Sequence, residues 1–418
     1  MISRAIGAAL LGRLRDGHID VLENGRRRAF GSRESSLRAT VRVNDAAFWR
    51  AFARGSLGLA ESYAAGVWDC DDLVALTRIG ARVMARIDRL RRPLAPFVTA
   101  LSRLPRNTRS AARRHVASHY DLGNELFEAF LDETLTYSCA LWESPGMTLR
   151  GAQEAKLEHV CRKLELNADD HVMEIGTGWG SFALHAAGRH GCRLTTTTIS
   201  QRQYALAVER VRAAGLDDRV TVLRQDYRDL SGAYSKLVSI EMIEAVGWQF
   251  FDTYFARCSE LLAPDGLMLL QAIVTDDRTY ELEKASRTFI GELIFPAGCL
   301  PSVAVISRCA ATATDMRLLD LEDITDNYPT TLRCWRERFL AAAEHLDRLG
   351  YDRRFRRLWK LYLSYCEGGF RERRIGDVQV LLAKPRYRPA GEQRVSTATA
   401  TPGEASFASA GLPPRAGP

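Results

Sequence analysis

The sequence has no closely spaced pair of cysteines and no long apolar run. The first absence argues against a disulfide-rich or zinc-binding protein, and the second against a protein that spans a membrane. Its nine cysteines include no CxxC pair, so we expect neither a disulfide framework nor a zinc site, and the sequence predicts no metal. No stretch approaches the roughly 18 consecutive apolar residues that a membrane-spanning helix needs. The apolar segment 5–11 is too short for the core of a signal peptide and continues into Arg13 and Arg15. The predicted location is therefore the cytoplasm.

Lysine is also scarce, because the 58 basic residues are 52 arginines and six lysines. Residues 1–114 hold 22 arginines and 10 acidic residues, a formal charge of +12, whereas the remainder carries −5 of the total of +7. One basic end on a near-neutral body favours an anionic partner surface, either lipid headgroups or nucleic acid. A solvated, arginine-rich face that reflects a GC-rich genome explains the same counts, and both interpretations stay open here.

Composition divides the chain into four regions. Residues 1–90 mix short apolar runs with arginines and predict a small α/β or helical domain. Residues 91–114 are basic and contain prolines, as is typical of a linker. Residues 115–388 form the predicted large domain, and residues 389–418, rich in Ala, Gly, Pro, Ser and Thr, predict a disordered tail.

Strand and helix patterns alternate through the large domain. The predicted strands are 171–175, 193–199, 220–223, 237–240, 267–273 and 378–383. The predicted helices are 182–189, 201–214, 249–262 and a segment around 335–349. This alternation implies a doubly wound parallel sheet, with its ligand outside the carboxyl ends of the strands.

A glycine-rich turn follows the first of these strands and opens a helix. It reads Glu174-x-Gly176-x-Gly178-x-Gly180, and glycine lets the backbone approach a ligand closely. The dinucleotide fingerprint needs Gly or Ala at the next position, which is Ser181. The spacing instead resembles motif I of Rossmann-like methyltransferases, whose turn packs against the amino-acid part of S-adenosylmethionine.

Two further segments lie where such a cofactor would need them. The second strand ends in Thr198, Ile199 and Gln203, where many methyltransferases have an acidic residue for the ribose hydroxyls, and Gln203 could make that contact. After the third strand, Asp226 is placed to accept a bond from the adenine amino group. We therefore predict a Rossmann-like methyltransferase with a mostly parallel seven-stranded sheet and a smaller amino-terminal domain.

Several strings identify a more specific resemblance. They are HYDLGN (119–124), LTYSCA (135–140), EMIEAVG (241–247), YF (254–255), IFPAGCLPS (294–302), YPTTL (328–332) and YCEGGF (365–370). In this order they resemble the cyclopropane-fatty-acid synthases, including the mycolic-acid cyclopropane synthases, over residues 115–388. The amino-terminal region resembles the extra domain of the long, phospholipid-acting members, and dimerisation through that domain is implied only by this resemblance.

The resemblance assigns roles to residues of this chain. The implied cofactor contacts are Tyr137, Ser138, Glu174, Gly176, Gly178, Gly180, Thr198, Ile199, Gln203, Asp226, Tyr227 and Arg228. Cys139, Glu244, Ile273 and Tyr328 match positions that hold a bicarbonate ion beside the sulfonium methyl group, Cys139 through its S–H or a backbone group. Cys366 matches an active-site cysteine of the family, and packing is an equally good explanation for it.

One position departs from the family pattern. The family has a histidine two residues before Ile273 as a further bicarbonate ligand, and this chain has Gln271. An amide can donate a hydrogen bond but cannot take a proton as imidazole can. Whether bicarbonate binds here in the usual way is therefore an open question for the structure.

The implied reaction transfers the methyl carbon of S-adenosylmethionine to the cis double bond of an unsaturated phospholipid acyl chain. The protein must align the alkene with the methyl group, shelter a carbocation and accept one proton. Bicarbonate or Glu244 could act as base. Proton loss with ring closure gives a cyclopropane, and hydride shift before proton loss gives a methylene or methyl-branched chain. Gln271 motivates that alternative.

The surroundings of the reaction can also be predicted. The aromatic residues that could line an apolar channel, or simply form core, are Tyr137, Trp142, Phe255, Phe295, Tyr328, Trp335 and Phe370. The basic end would dock on anionic headgroups at the inner membrane face, as a peripheral protein. A nucleic-acid methyltransferase is disfavoured, because residues 240–244 lack the DPPY-type motif. A catalytically inactive lipid-binding protein is the remaining alternative.

Overall fold

The computed structural model describes residues 2–91, 93, 122–284, 286, 288–296 and 298–389. Most of the predicted linker, nearly all of the predicted tail and the first three residues of the HYDLGN string lie outside these residues.

The amino-terminal part is built around a small sheet. Its elements are α1 (Ile2–Leu11), β1 (His18–Glu23), β2 (Arg26–Gly31), β3 (Arg38–Val43), α2 (Ala47–Ala53), α3 (Gly55–Ala64), β4 (Trp68–Cys70) and α4 (Leu73–Arg91). The four strands lie in the order β2-β1-β3-β4. Apolar residues alternate along β1 and β3, so Ile19, Val21 and Val41 point to one core with Trp49 and Trp68.

The larger part alternates strands and helices around a second sheet. Its elements are α5 (Asn124–Glu128), α6 (Leu149–Lys163), β5 (His171–Ile175), α7 (Ser181–His190), β6 (Arg193–Thr197), α8 (Gln201–Ala213), β7 (Val220–Leu223), β8 (Tyr234–Ile240), α9 (Phe251–Leu261), β9 (Leu262–Thr275), α10 (Tyr280–Lys284), α11 (Val303–Ala313), β10 (Arg317–Asp323), α12 (Tyr328–Ala341), α13 (Ala343–Arg348), α14 (Arg353–Arg371) and β11 (Ile375–Ala383). Short 3₁₀ turns occupy Tyr227–Asp229, Ile243–Ala245, Trp248–Phe250 and Thr325–Asn327, and a π turn occupies Ile290–Ile294.

The sheet confirms the predicted fold class. Its seven strands lie in the order β10-β11-β9-β8-β5-β6-β7. Strands β7, β6, β5, β8 and β9 are parallel, and β11 runs antiparallel to both β9 and β10. Along β5, Met173 and Ile175 pack in one apolar cluster and Val172 in another, so both faces of the sheet are covered.

Some elements differ from the predicted pattern. The helix predicted around 335–349 is two helices, and the first begins at Tyr328, because Pro329 suits the first turn of a helix. The edge strand β10 was not predicted, since its residues are almost all exposed and carry charges instead of alternating cleanly. Helices α6 and α14 were not predicted either.

The chain order of the strands creates one switch point. From β5 the chain moves outward to β6 and β7 and then returns to β8 on the other side of β5. The carboxyl ends of β5 and β8 therefore lie side by side with diverging connections, which is where an open α/β sheet forms a crevice. The glycine-rich turn leaves β5 at this edge, and Glu241 follows β8 there.

The amino-terminal part docks on α14. Glu372, just after that helix, accepts hydrogen bonds from Arg78 and Arg82 of α4, both at 2.7 Å. Arg357 of α14 donates to Asp69 at 2.7 Å and lies over the ring of Tyr63. Among the described helices, none has both the length and the apolar character that crossing a bilayer requires.

Candidate active site

The glycine-rich turn adopts a conformation that other residues would strain. Gly176, Gly178 and Gly180 have φ angles of 107°, 53° and 88°, all in the region that glycine alone enters freely. A Cβ atom on Gly176 would also lie 3.0 Å from the side chain of Met242. The turn therefore holds the backbone open at the carboxyl end of β5 and leads directly into α7.

A cavity opens at this edge of the sheet. The predicted cofactor residues that line it are Tyr137, Ser138, Glu174, Gly176, Gly178, Thr198, Ile199, Gln203, Asp226, Tyr227 and Arg228. Gly180 does not line it and instead stands at the amino-terminal cap of α7. Segments that are far apart in sequence thus line the same cavity, at the carboxyl ends of the strands where the sequence predicts the ligand.

Glu174 gives this cavity a specific chemical preference. Its side chain is buried, and among the described residues its Oε2 has no hydrogen-bond partner. Burial raises the pKa of the Glu174 carboxyl to about 8. A cationic ligand group would satisfy this oxygen and favour its ionised form. The residue therefore fits the ammonium group of S-adenosylmethionine.

A second set of polar groups lines the same cavity. The hydroxyl of Thr198 donates to the amide oxygen of Gln203 at 2.8 Å, which fixes the orientation of that amide. Two nitrogens of Arg228 donate hydrogen bonds to the two carboxylate oxygens of Asp226, at 2.8 and 2.7 Å. The amide and the carboxylate suit a ribose and an adenine amino group, respectively.

Glu241 in the cavity wall accepts hydrogen bonds from three different segments of the chain. Its carboxylate accepts the backbone N–H of Cys139 at 2.7 Å, the Nε2–H of Gln271 at 2.9 Å and the hydroxyl of Tyr328. The residue is half-buried, and its partial burial raises the pKa of the Glu241 carboxyl, while the bonds from Tyr328 and Cys139 and the nearby Lys156 lower it. Three convergent donors make this a well-organised anion.

The sheet register explains how Gln271 reaches this carboxylate. Gln271 pairs with Ile240 of β8, the residue before Glu241, and with Gln379 of β11. Its Nε2 also donates to Asp377 at 3.0 Å, and its Oε1 accepts from Gln379 at 3.2 Å. The amide is therefore bonded at both ends.

Glu244 takes a separate position. Its Oε1 accepts the backbone N–H of Ile273 at 2.6 Å, and the N–H of Cys299 in the IFPAGCLPS segment donates to its backbone carbonyl at 2.8 Å. Burial, and then repulsion from Glu241, raises the pKa of the Glu244 carboxyl to about 8. At neutral pH Glu244 is therefore mainly a neutral acid.

Comparison with known proteins identifies the family. The family described as mycolic acid cyclopropane synthetase matches residues 107–380. The chain belongs to this family. The chain is therefore a methyltransferase that depends on S-adenosylmethionine and transfers a carbon to lipid double bonds.

Individual relatives cover most of the chain. It is 40% identical over 341 residues to the tuberculostearic acid methyltransferase UfaA1 of Mycobacterium tuberculosis, with 78% of each chain covered. It is 37% identical over 352 residues to the cyclopropane-fatty-acyl-phospholipid synthase of Escherichia coli, covering 84% of this chain and 89% of that one. The structure of the mycolic acid cyclopropane synthase CmaA1 with SAH and CTAB aligns at a TM-score of 0.61 and 28% identity, over 65% of this chain and 98% of that one.

The residues expected to hold bicarbonate meet as predicted but already have partners. The N–H of Cys139, the hydroxyl of Tyr328 and the amide of Gln271 all donate to Glu241. The N–H of Ile273 donates to Glu244. The Cys139 contribution is its backbone N–H, since its thiol faces the carbonyl of Ala140 at 3.3 Å. The site as it stands does not fit a bicarbonate ion.

The sequence did not predict three residues of the site, which are the half-buried Glu241 and the buried Asp377 and Lys156. Asp377 accepts a hydrogen bond from Gln271 at 3.0 Å, and burial, followed by repulsion from Glu241, raises the pKa of its carboxyl. Lys156 donates to the hydroxyl of Ser138 at 2.7 Å. Lys156 falls on the buried face of α6 in step with Ala152 and Val160, and Asp377 interrupts an apolar strand, so a polar residue at a buried position was the available signal.

The aromatic residues predicted around the site separate into two groups. Tyr328, Trp335 and Phe370 belong to one apolar cluster, and Tyr137, Trp142 and Phe295 pack against it. Phe255, a residue of α9, lies in another cluster. Tyr328 stacks on Phe370 with ring centroids 4.2 Å apart, beside Glu241.

Cys366 is not among the residues that line the cofactor cavity. It lies in α14, and burial raises the pKa of its thiol to about 12. A thiol with so high a pKa is almost entirely protonated at neutral pH and is a poor nucleophile. Its position suits packing better than chemistry.

Proposed function

We propose that the protein transfers the methyl carbon of S-adenosylmethionine to the cis double bond of an unsaturated phospholipid acyl chain and forms a cyclopropane ring. The observation that carries the proposal is the organised carboxylate of Glu241 in the wall of the cofactor cavity. S-adenosylmethionine supplies an electrophilic methyl carbon. Carbon transfer to an alkene then requires loss of one proton, for which a half-buried carboxylate is suited.

The surroundings of Glu241 support the same reaction. Tyr328, Phe370 and Trp335 form an apolar, buried wall next to the carboxylate. Such a wall excludes water, which would otherwise trap a carbocation as an alcohol. The face of an aromatic ring also carries negative potential that stabilises a cation.

A second product has specific support. The 40% identical relative from Mycobacterium tuberculosis is named as a tuberculostearic acid methyltransferase, and this chain has Gln271 where the cyclopropane synthases have histidine. Both facts favour a methylene product, in which a hydride shifts along the acyl chain before the transferred carbon loses its proton.

Proton NMR distinguishes the two products, which have the same mass. Phospholipids would be extracted from cells that lack such an enzyme, grow on oleate and express this protein. Upfield ring-proton resonances would support the cyclopropane proposal. Vinylidene resonances without them would replace it by the methylene product, and unmodified oleoyl chains would count against both.

Docking on anionic membranes is a further part of the proposal. Strand β2 carries Arg26, Arg27 and Arg28 on an exposed edge, and Asp20 neutralises only Arg27 among them. Basic side chains near an anionic surface contribute about 1 kcal/mol each. The acyl chain would then enter from a membrane to which the amino-terminal part is bound.

Vesicle flotation tests this docking. The double variant Arg26→Gln/Arg28→Gln should float less with vesicles that contain phosphatidylglycerol than the unmodified protein does. A matched pair on the large domain, Arg189→Gln/Arg212→Gln, removes two exposed charges elsewhere and should float normally. If the unmodified protein floated as strongly with neutral vesicles as with anionic ones, the electrostatic part would be contradicted.

A further inference from the structure

The geometry points to Glu241 as the base of the reaction, standing in the place of the bicarbonate ion, so that the enzyme needs no bicarbonate. This inference rests on the proposed function and names the group that takes the proton. It replaces Glu244 and an external ion, the two bases that the sequence suggests.

The donors around Glu241 are those expected around the ion. Cys139, Gln271 and Tyr328 each direct one polar hydrogen at this carboxylate. A carboxylate and bicarbonate share the same planar, delocalised O–C–O group and accept the same hydrogen bonds. The side chain therefore reproduces the charge and bonding of the ion from within the chain.

The backbone of Glu241 is strained to achieve this. Its φ angle is 48°, a conformation that non-glycine residues adopt rarely and at an energetic cost. The backbone N–H of Glu241 is fixed by the carbonyl of Gln271 at 2.8 Å. This backbone turn directs the side chain of Glu241 towards the three donors. Strained backbone conformations of this kind are common at functional sites.

The arrangement also excludes a second anion. The N–H of Ile273, the remaining predicted ligand, is bonded to Glu244. An ion at this place would have to displace a protein carboxylate from its donors and would then sit beside it. Two negative charges so close in a buried site repel strongly.

Asp377 directs the negative charge to Glu241. Burial, together with repulsion from Glu241, raises the pKa of the Asp377 carboxyl far above its usual range. Asp377 therefore keeps its proton and donates to the ionised Glu241, which is the better-bonded of the two. Gln271 and Asp377 are positioning residues, since they act through Glu241.

The proposed step balances in atoms and charge. The sulfur–methyl bond breaks, and the methyl carbon forms a bond with one alkene carbon. One C–H bond of the transferred carbon then breaks, its electron pair forms the second ring bond, and the proton goes to Glu241. A cationic donor and an anionic Glu241 become neutral S-adenosylhomocysteine and a neutral acid, so the site's net charge is unchanged.

Two substitutions test the inference by methyl transfer from labelled S-adenosylmethionine to oleoyl phospholipid vesicles. Glu241→Gln keeps the shape and removes the base, so the rate should fall at least about 100-fold, with or without bicarbonate. Glu241→Gly suits the positive φ angle and opens the space. It should be equally slow in carbon-dioxide-free buffer and recover in part with added bicarbonate or formate.

Glu165→Gly is the matched control. Glu165 also has a positive φ angle, 54°, is exposed, and does not line the cavity. This variant and the unmodified enzyme should keep the same rate with and without bicarbonate. An unmodified enzyme that stops in carbon-dioxide-free buffer and restarts with bicarbonate would overturn the inference, as would an undiminished rate in Glu241→Gln.

A binding measurement decides the point even without lipid turnover. In the presence of S-adenosylhomocysteine, ¹³C-labelled bicarbonate should show line broadening with Glu241→Gly and none with the unmodified protein. Binding to the unmodified protein, or to neither, would overturn the inference. Failure to modify any lipid, in contrast, would count against the proposed function. The binding result would still test whether Glu241 occupies the place of bicarbonate.

Discussion

The side-chain amide of Gln271 donates a hydrogen bond to the carboxylate of Glu241 across 2.9 Å. The same nitrogen donates to Asp377, and the amide oxygen accepts from Gln379. One amide nitrogen supplies two donors, whereas each nitrogen of imidazole supplies one at most. Glutamine at this position therefore fits a site with a built-in carboxylate.

Exchange of Gln271 for histidine should lower activity. Gln271→His loses one of the two bonds to the carboxyl pair, and we expect the methyl-transfer rate to fall about tenfold or more, given roughly 1.5–3 kcal/mol for a hydrogen bond to a charged group. In Glu241→Gly, which has space for an ion, the same exchange should raise the bicarbonate-dependent rate. A double-mutant cycle measures this coupling, and simple additivity of the two effects would contradict it.

Removal of the Tyr328 hydroxyl should shift the pH profile. Tyr328→Phe keeps the ring stacked on Phe370 but deletes a bond that lowers the pKa of Glu241. The pKa of Glu241 should rise, and since the ionised form is the base, activity should be lost at a higher pH on acidification. The apparent pKa of the acid limb in a plot of kcat/KM against pH measures this rise in the pKa of Glu241. An unchanged limb with a lower rate would mean that the hydroxyl serves another step.

Cofactor binding should release a proton. The pKa of Glu174 is about 8 in the free protein, so below that pH the carboxyl is mainly protonated and must ionise to hold an ammonium group. Affinity for S-adenosylmethionine should therefore fall as the pH drops below about 8. Calorimetry in two buffers of different ionisation enthalpy measures the released proton. Glu174→Gln should bind more weakly and show a smaller proton release.

Glu244 should make stability depend on pH. Its folded pKa of about 8 lies above its unfolded value, so the folded state binds more protons between about pH 4.5 and 8. Its contribution is complete below that window and is lost as the pH rises through it, by about 1.4 kcal/mol per pH unit for one such group. The free energy of unfolding of Glu244→Gln, relative to the unmodified protein, should rise from pH 5 to pH 8.

Urea denaturation at several pH values checks the prediction. Glu260→Gln changes an exposed glutamate on α9 and should follow the unmodified protein at every pH. Parallel curves for Glu244→Gln and the unmodified protein would show that Glu244 is ionised throughout this range.

Much of the cofactor half of the site could be predicted from the sequence. Strand 220–223 was predicted at its observed bounds, and the glycine-rich turn lies at the predicted strand end. These features depend on neighbours in sequence, such as apolar alternation and the φ angles that only glycine tolerates. Edge strand β10 lacked any such pattern, because its side chains face solvent.

The catalytic half could be predicted only as a set of positions. Cys139 and Tyr328 both contact Glu241 and Ile273 contacts Glu244, whereas the resemblance implies an ion bound by all of them. Glu241 lies in the EMIEAVG string, and the sequence alone assigns it no role. The direction of the Glu241 side chain depends on its backbone φ angle of 48°, which no local sequence pattern predicts.

The sequence by itself determined the alternating sheet, the cofactor turn and the family, since periodicity, glycine spacing and ordered strings are properties of the chain alone. Only the tertiary structure decided which carboxylate faces the cofactor. Pairing of β9 with β8 and β11 brings Gln271 beside Glu241 and Asp377, residues 30 and 106 positions away. Burial in that register then sets which of these groups carries the charge, because the cost of ionisation depends on surroundings that the chain acquires by folding.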